Sequence, residues 1–244
     1  MKLKTLLSAF RSPRPAAFGP VAPESGFYAV GDIHGRLDLL DRVLADLPDD
    51  LPVVCVGDYI DRGEDGAGVL RRLQARPDII ALRGNHEDML LGFLDAPQEK
   101  GARWIRNGGL QTLASFGVTG ITQTTNGIDL KIAADALRRA MGPALIDWMR
   151  MLPLMHQSGN VTVVHAGADP ALPLDQQDHR TLTWGHRDFL TTPRRDGHWV
   201  VHGHTIVDQA SATEGRIAID TGAYATGRLT VARVTPGDVS FEST

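Results

Sequence analysis

The sequence predicts an α/β fold built on two β-sheets, and three observations carry that expectation. Three strand–loop–helix units follow one another from Phe27 to Leu94, a helical, glycine-punctuated stretch fills roughly residues 96–151, and apolar segments rich in β-branched residues occupy the remainder. Residues 1–25 hold Pro13, Pro15, Pro20 and Pro23 with clustered basic charge, and read as a flexible N-terminal tail ahead of a single domain over 26–244. Phe27–Val30 is a short apolar strand. After a Gly/Asp/His turn, Leu37, Leu40, Val43, Leu44 and Leu47 recur on one helical face. The unit repeats as strand Val53–Val56, polar loop Gly57–Gly66 and a helix over 67–76 with Leu70 and Leu73 on a shared face. It repeats again as strand Ile79–Leu82 and a helix from about Asn85 to Leu94. Right-handed crossovers of this kind predict a largely parallel sheet, with ligands outside the carboxyl ends of its strands. The stretch over 96–151 reads as a small helical cap. Val161–Val164, Trp199–Val201, Ile217–Ile219 and Leu229–Val234 then predict a second, mixed or antiparallel sheet.

Composition narrows the function. With 25 Lys and Arg against 29 Asp and Glu among 244 residues, the formal charge is −4, which argues against a dedicated nucleic-acid binder. The single cysteine, Cys55, excludes an intrachain disulfide framework and a Cys-rich zinc module, and its apolar strand makes it core rather than catalytic. No apolar run is long enough to span a bilayer, and the charged start lacks a signal-peptide core. A cytoplasmic protein without stable membrane insertion is expected.

Every strand of the repeated units ends in residues of metal-ligand type. The clusters are Gly31-Asp32-Ile33-His34-Gly35, Gly57-Asp58-Tyr59-Ile60-Asp61-Arg62-Gly63 and Arg83-Gly84-Asn85-His86-Glu87, followed later by His165-Ala166-Gly167 and His202-Gly203-His204-Thr205. Singly, each reads as an ordinary glycine-flanked turn, and a histidine in it as a commonplace side chain. Five in this order, each at a strand end, point to one shared site.

The set GDIHG, GDYIDRG, RGNHE, HAG and HGHT resembles the metallophosphoesterases, and within them the phosphoprotein phosphatase (PPP) family of Ser/Thr phosphatases. Trp104, Asn107-Gly108-Gly109, Thr112-Leu113 and Phe116-Gly117 resemble a stretch of its bacterial and phage branch, which also contains symmetrical diadenosine tetraphosphate hydrolases. The likeness covers roughly Phe27 to Val234. It implies a central β-sandwich of two mixed sheets flanked by helices, with a small helical cap over 96–151. It also implies two divalent metal ions, one on Asp32, His34 and Asp58, the other on Asp58, Asn85, His165 and His204, with Asp58 bridging. Oxygen and nitrogen ligands without thiolate suit Mn²⁺, taken first, or Fe or Zn²⁺. Two divalent ions against two aspartates leave positive charge to attract a phosphate ester.

By the same resemblance, His86 is the general acid and Asp61 the carboxylate that orients it. The alternatives are a helix-capping imidazole for His86 and a salt bridge to Arg62 or Arg83 for Asp61. Arg62 fits a bidentate clamp on phosphoryl oxygens. Arg83 either shares that work or forms a structural ion pair, for instance with Glu87. Related enzymes carry a second phosphate-binding arginine in a Trp-x-Arg pattern, whereas this chain reads Trp184-Gly185-His186-Arg187, so Arg187, or failing it His186, is expected there. His202 and Asp220 are expected beside the site without being ligands. The implied chemistry is direct attack of a metal-bridging hydroxide on a phosphorylated protein or peptide, as a protein serine/threonine phosphatase. The alternative substrate is a symmetrical dinucleoside polyphosphate.

Overall fold

The structure is a computed structural model that describes residues 18–244. It begins with β1 (Phe27–Val30), α1 (Leu37–Asp46), β2 (Val53–Cys55), α2 (Gly66–Gln74), β3 (Ile79–Ala81) and α3 (Asn85–Asp95). A helical layer follows: α4 (Pro97–Trp104), a kinked segment Ile105–Gly109, α5 (Leu110–Ser115), α6 (Gly127–Met141) and α7 (Pro143–Met151). The remainder is β4 (Met155–Ser158), β5 (Val161–Val164), α8 (His179–Trp184), β6 (Trp199–His202), β7 (Ser211–Thr213), β8 (Arg216–Ala218), α9 (Ala223–Thr226), β9 (Thr230–Thr235) and β10 (Asp238–Ser243).

Two five-stranded mixed sheets result, ordered β10-β9-β1-β2-β3 and β4-β5-β6-β8-β7. β1, β2 and β3 run parallel to one another, as do β5, β6 and β8. Because side chains alternate across a strand, each strand feeds two cores. Phe27, Ala29, Val54, Val161, Val163, Val201, Ile217, Ala232 and Val234 fill the space between the sheets. Tyr28, Val30, Cys55 and Val231 point the other way, into the core shared with the helices. Val164 and Val200 pack outward with Leu174, Leu182 and Phe189. The result is a β-sandwich with helical cover.

The structure revises four expectations. Leu229–Val234 forms a strand, β9, but it joins the first sheet, antiparallel to β1 with Phe27 opposite Val234. The first sheet is therefore mixed, as the family resemblance implied, rather than largely parallel as the three crossover units alone suggested. β10 extends that sheet at its edge, and its half-exposed alternation with charged residues hid it from an apolar-run search. The helices read as a small cap are part of the main core: Trp104, Leu113, Leu130, Leu137 and Met149 are buried in the same cluster as residues of α1, α2 and α3. Of the 25 residues read as a tail, the first 17 lie outside the described residues, while Phe18–Ser25 run along the sandwich with Val21 and Pro23 buried. Phe18 lies edge-on to Trp199, and the Ser25 N–H donates to Ser158.

No helix among the described residues is long and apolar enough to cross a membrane.

Candidate metal centre and acid pair

The loops leaving β1, β2, β3, β5 and β6 converge at one end of the sandwich. Six non-glycine residues among those described have left-handed backbone, and five of them are here: His34, Asp58, Asp61, Arg62 and His204. Such conformations cost about 1–3 kcal/mol each and gather where function requires a particular side-chain direction. Backbone bonds hold them: Asp58 O accepts from the Ile33 and His34 N–H groups, and Tyr59 O accepts from the Gly35 N–H. Glu87 is the anchor that sequence reading missed. Its wholly buried carboxylate accepts the N–H groups of Asp58 (2.9 Å), Tyr59 (2.8 Å) and Gly84 (2.9 Å). Glu87 does not pair with Arg83. Arg83 lies 3.7 Å from Asp88 and donates to the Arg150 carbonyl.

Asp58 is the hub. Its Oδ2 lies 3.6 Å from His34 Nε2 and 3.8 Å from His86 Nε2, and its Oδ1 is 3.3 Å from His165 Nε2. Asn85 Oδ1 is 2.9 Å from His165 Nε2 and 2.8 Å from His204 Nδ1. The Asp32 carboxylate accepts the His204 N–H at 3.0 and 3.2 Å. Two overlapping groupings, His34/Asp58/His86 and Asp58/His165/His204, bring potential ligand atoms within 4.8 Å of one another. All six residues named as ligands by resemblance thus meet here, and His86 stands closer to Asp58 than its assigned role alone required.

The donors fit divalent cations. His165 directs Nδ1 at the Val56 carbonyl (3.2 Å), and a ring protonated there turns the Nε2 lone pair towards two oxygens, Asn85 Oδ1 and Asp58 Oδ1. Lone pair facing lone pair is stable only around a positive charge. Without a metal the ring must take a proton: burial would lower its pKa, but Asp58's charge and hydrogen bond push it up to about 10. His34 likewise uses Nδ1 on the Ile60 carbonyl (2.8 Å), leaving Nε2 towards Asp58, and burial lowers it to about 3, the neutral form a ligand needs. Burial, with Asp220 nearby, holds Asp32 well above the usual carboxylate range. A buried oxygen and nitrogen set of this kind suits hard or borderline cations.

Beside the hub, His86 Nδ1 lies 2.6 Å from Asp61 Oδ2, both groups being buried. Asp61 pairs with no arginine among the described residues. It also accepts the Trp104 indole N–H (2.9 and 3.1 Å) and the Thr112 hydroxyl (2.6 Å). Burial works against the charged imidazole, yet the Asp58 charge and the Asp61 bond raise His86 above its ordinary value. The Arg62 guanidinium reaches over both rings, 3.1 Å from His34 Nε2 and 3.2 Å from His86 Nε2, and stacks 4.9 Å from the Tyr224 ring centroid. Tyr224, which also lies edge-on to His34, carried no sequence signal because α9 is one turn long.

The two candidates for a second phosphate contact behave differently. The structure does not bring Arg187 to the cluster: its side chain is 88% exposed, and its ion-pair partner is the adjacent Asp188. His186 faces Asp169 and Asp188 instead. His202 is buried against Phe189 with Nε2 unpaired, so it packs rather than ligates. Asp220 does lie by the site, where its carboxylate accepts the Gly222 N–H at the turn into α9.

Comparison with known proteins agrees with this geometry. Residues 26–208 match the calcineurin-like phosphoesterase family model. Serine/threonine-protein phosphatase 1 of Salmonella typhimurium is 32% identical over 221 residues, covering 85% of this chain and 91% of its own. The symmetrical bis(5'-nucleosyl)-tetraphosphatase of Ralstonia nicotianae is 26% identical, covering 85% of this chain and 89% of its own. Among solved structures, that of a protein provisionally named a diadenosine tetraphosphatase superposes with a TM-score of 0.63 at 21% identity, covering 90% of this chain and 94% of its own, a likeness of fold. The chain belongs to the calcineurin-like phosphoesterase family.

Proposed function

We propose that this family member is a phosphomonoesterase dependent on two divalent cations, acting on phosphoserine and phosphothreonine in proteins or peptides. The observation that carries the reading is the meeting of buried Asp32, His34, Asp58, Asn85 and His165 with half-buried His204 beside the His86–Asp61 pair. The near full-length likeness to a serine/threonine-protein phosphatase supports the substrate class. Asp32, His34 and Asp58 would hold one cation and Asp58, Asn85, His165 and His204 the other, with Mn²⁺ first and Fe or Zn²⁺ as alternatives. When bound, the pair would supply Lewis-acid charge for the phosphoryl oxygens and make water acidic enough to attack at neutral pH.

The protein's own groups do the rest. Arg62 offers two N–H groups at the cluster surface, the geometry that suits two phosphoryl oxygens. His86, held by Asp61 through Nδ1, presents Nε2 to give its proton to the leaving alkoxide. Cys55, which burial pushes up to about 12, lies in the helix-side core. With no such nucleophile at hand, transfer goes directly to water with inversion at phosphorus. A chiral thiophosphate ester followed by stereochemical analysis tests this, and retention overturns it.

One observation favours a second reading, hydrolysis of symmetrical dinucleoside polyphosphates: the Ralstonia relative so named matches over most of its length. Parallel assays on a phosphopeptide and on diadenosine tetraphosphate decide, with Asp58→Asn as the metal-centre control. A kcat/KM strongly favouring the dinucleotide displaces the first reading.

A further inference from the structure

The Trp104–Thr112 stretch contributes nothing to the metal cluster, yet it is built around the acid pair. Asp61 is wholly buried, and each of its oxygens has assigned donors. Thr112 Oγ1 donates to Asp61 Oδ1 (2.6 Å) and accepts the Asp61 backbone N–H (2.9 Å), closing a ring on one residue. The Trp104 indole N–H is shared between both carboxylate oxygens and has no other partner among the described residues. Its ring is fully buried and stacks 4.7 Å from Phe93, on the helix that opens with Asn85 and His86.

The kink supplies the remaining contact. Gly108 O accepts the Arg62 N–H at 3.3 Å, and a Cβ on Gly108, which has φ of 108°, would stand 2.7 Å from that nitrogen. A Cβ on Gly109 would stand 2.6 Å from the Trp104 ring. Only glycine allows both approaches. The segment therefore grips side chain and backbone of Asp61 and the backbone of Arg62, two consecutive residues with φ of 68°.

We infer that Trp104 and Thr112 are positioning residues for proton donation: the helical layer aims His86 by fixing Asp61. The inference rests on the assignment of His86 as acid above. A carboxylate deprived of a donor in a water-free site rotates or is protonated, and either change frees the imidazole it held. Both side chains are wholly buried, so neither can meet substrate directly.

The test is leaving-group dependence in Mn²⁺-loaded Trp104→Phe and Thr112→Val, measured on 2,4-dinitrophenyl, 4-nitrophenyl and phenyl phosphate. On phenyl phosphate, whose departure needs a proton, kcat falls about 10- to 100-fold at unchanged KM, part of the roughly 10²- to 10⁴-fold a positioned acid contributes. On the dinitrophenyl ester, which leaves unaided, kcat changes less than about threefold. Thr112→Ser, which keeps the hydroxyl, restores the wild-type pattern. Equal losses on all three esters, a rise in KM alone, or no change each overturns the inference.

Proton NMR gives a readout free of turnover. The low-field signal of the short His86 Nδ1–H···Asp61 bond moves in Trp104→Phe and stays in Thr112→Ser. If the wild type hydrolyses none of the esters while this signal shifts as described, the phosphomonoesterase reading fails and the positioning stands. If the signal does not move in Trp104→Phe, the positioning fails whatever the activity.

Discussion

Glu87→Leu should loosen the metal centre by removing a residue that touches none of the proposed chemistry. The Glu87 carboxylate is fully buried and satisfies three backbone N–H groups, two on Asp58 and Tyr59 and one on Gly84, at 2.8–2.9 Å. Leucine leaves all three without an acceptor in a site closed to water. Each orphaned donor costs about 1–3 kcal/mol, and release of the buried carboxylate offsets part of the sum, so the net loss is about 3–5 kcal/mol. For a domain of this size that lowers Tm by about 6–20 °C. Glu87→Gln should fall between. Its amide oxygen can serve Asp58 and Gly84, but its NH₂ then faces the Tyr59 N–H, one unmet donor worth about 1–3 kcal/mol. The assay is thermal unfolding by circular dichroism in EDTA, so that metal affinity does not mask the backbone effect, followed by measurement of bound Mn²⁺ after dialysis. A Glu87→Leu protein that melts within about 2 °C of wild type and binds the same metal would refute the anchoring role.

Other outcomes follow from the same geometry. EDTA should abolish activity, separate additions of Mn²⁺, Zn²⁺ and Fe²⁺ should restore it to different extents, and free metal at 100 times its Kd should add about 2.7 kcal/mol of stability in a melting experiment. Asp58→Asn, which removes one of the two carboxylate charges of the proposed ligand set, should lower both kcat, by at least about a hundredfold, and the bound-metal content measured by elemental analysis. His86 is raised above its ordinary pKa by Asp58 and Asp61, so its acid form persists to higher pH than that of a free imidazole and is lost as pH rises through that raised value. Asp61→Asn removes one cause, so the basic limb of the kcat–pH profile should move to lower pH. Arg62→Ala should raise KM about 10- to 100-fold through two lost charge-assisted hydrogen bonds, whereas Arg187→Ala, exposed and paired only with its neighbour, should leave both kinetic constants within about twofold.

The six proposed ligands and the acid pair were legible in the linear chain because each follows an apolar strand directly. The strand–turn junction is a local feature, and a parallel sheet sends all such junctions to one end. Helix faces were legible for a similar reason, since Leu40, Val43 and Leu70 recur at helical spacing and are buried. Choice of neighbour was not local. Leu229–Val234 announced a strand, but only assembly placed β9 beside β1, where Ala232 and Val234 reach the inter-sheet core. Likewise Glu87 was visible as an acidic residue in a helix's first turn, while its partners Asp58 and Tyr59 are 29 and 28 residues away. Arg187 was expected as a phosphate contact by resemblance, one place beyond the family's Trp-x-Arg arginine, and the fold turned it to solvent.

Residue type and local spacing determined which groups can bind a cation or carry a proton, since those properties belong to the side chains themselves. Tertiary structure alone decided which of them share a water-free volume, what keeps them charged or neutral there, and which distant donors hold them still. Those outcomes depend on burial and on contacts between segments that the covalent chain keeps far apart.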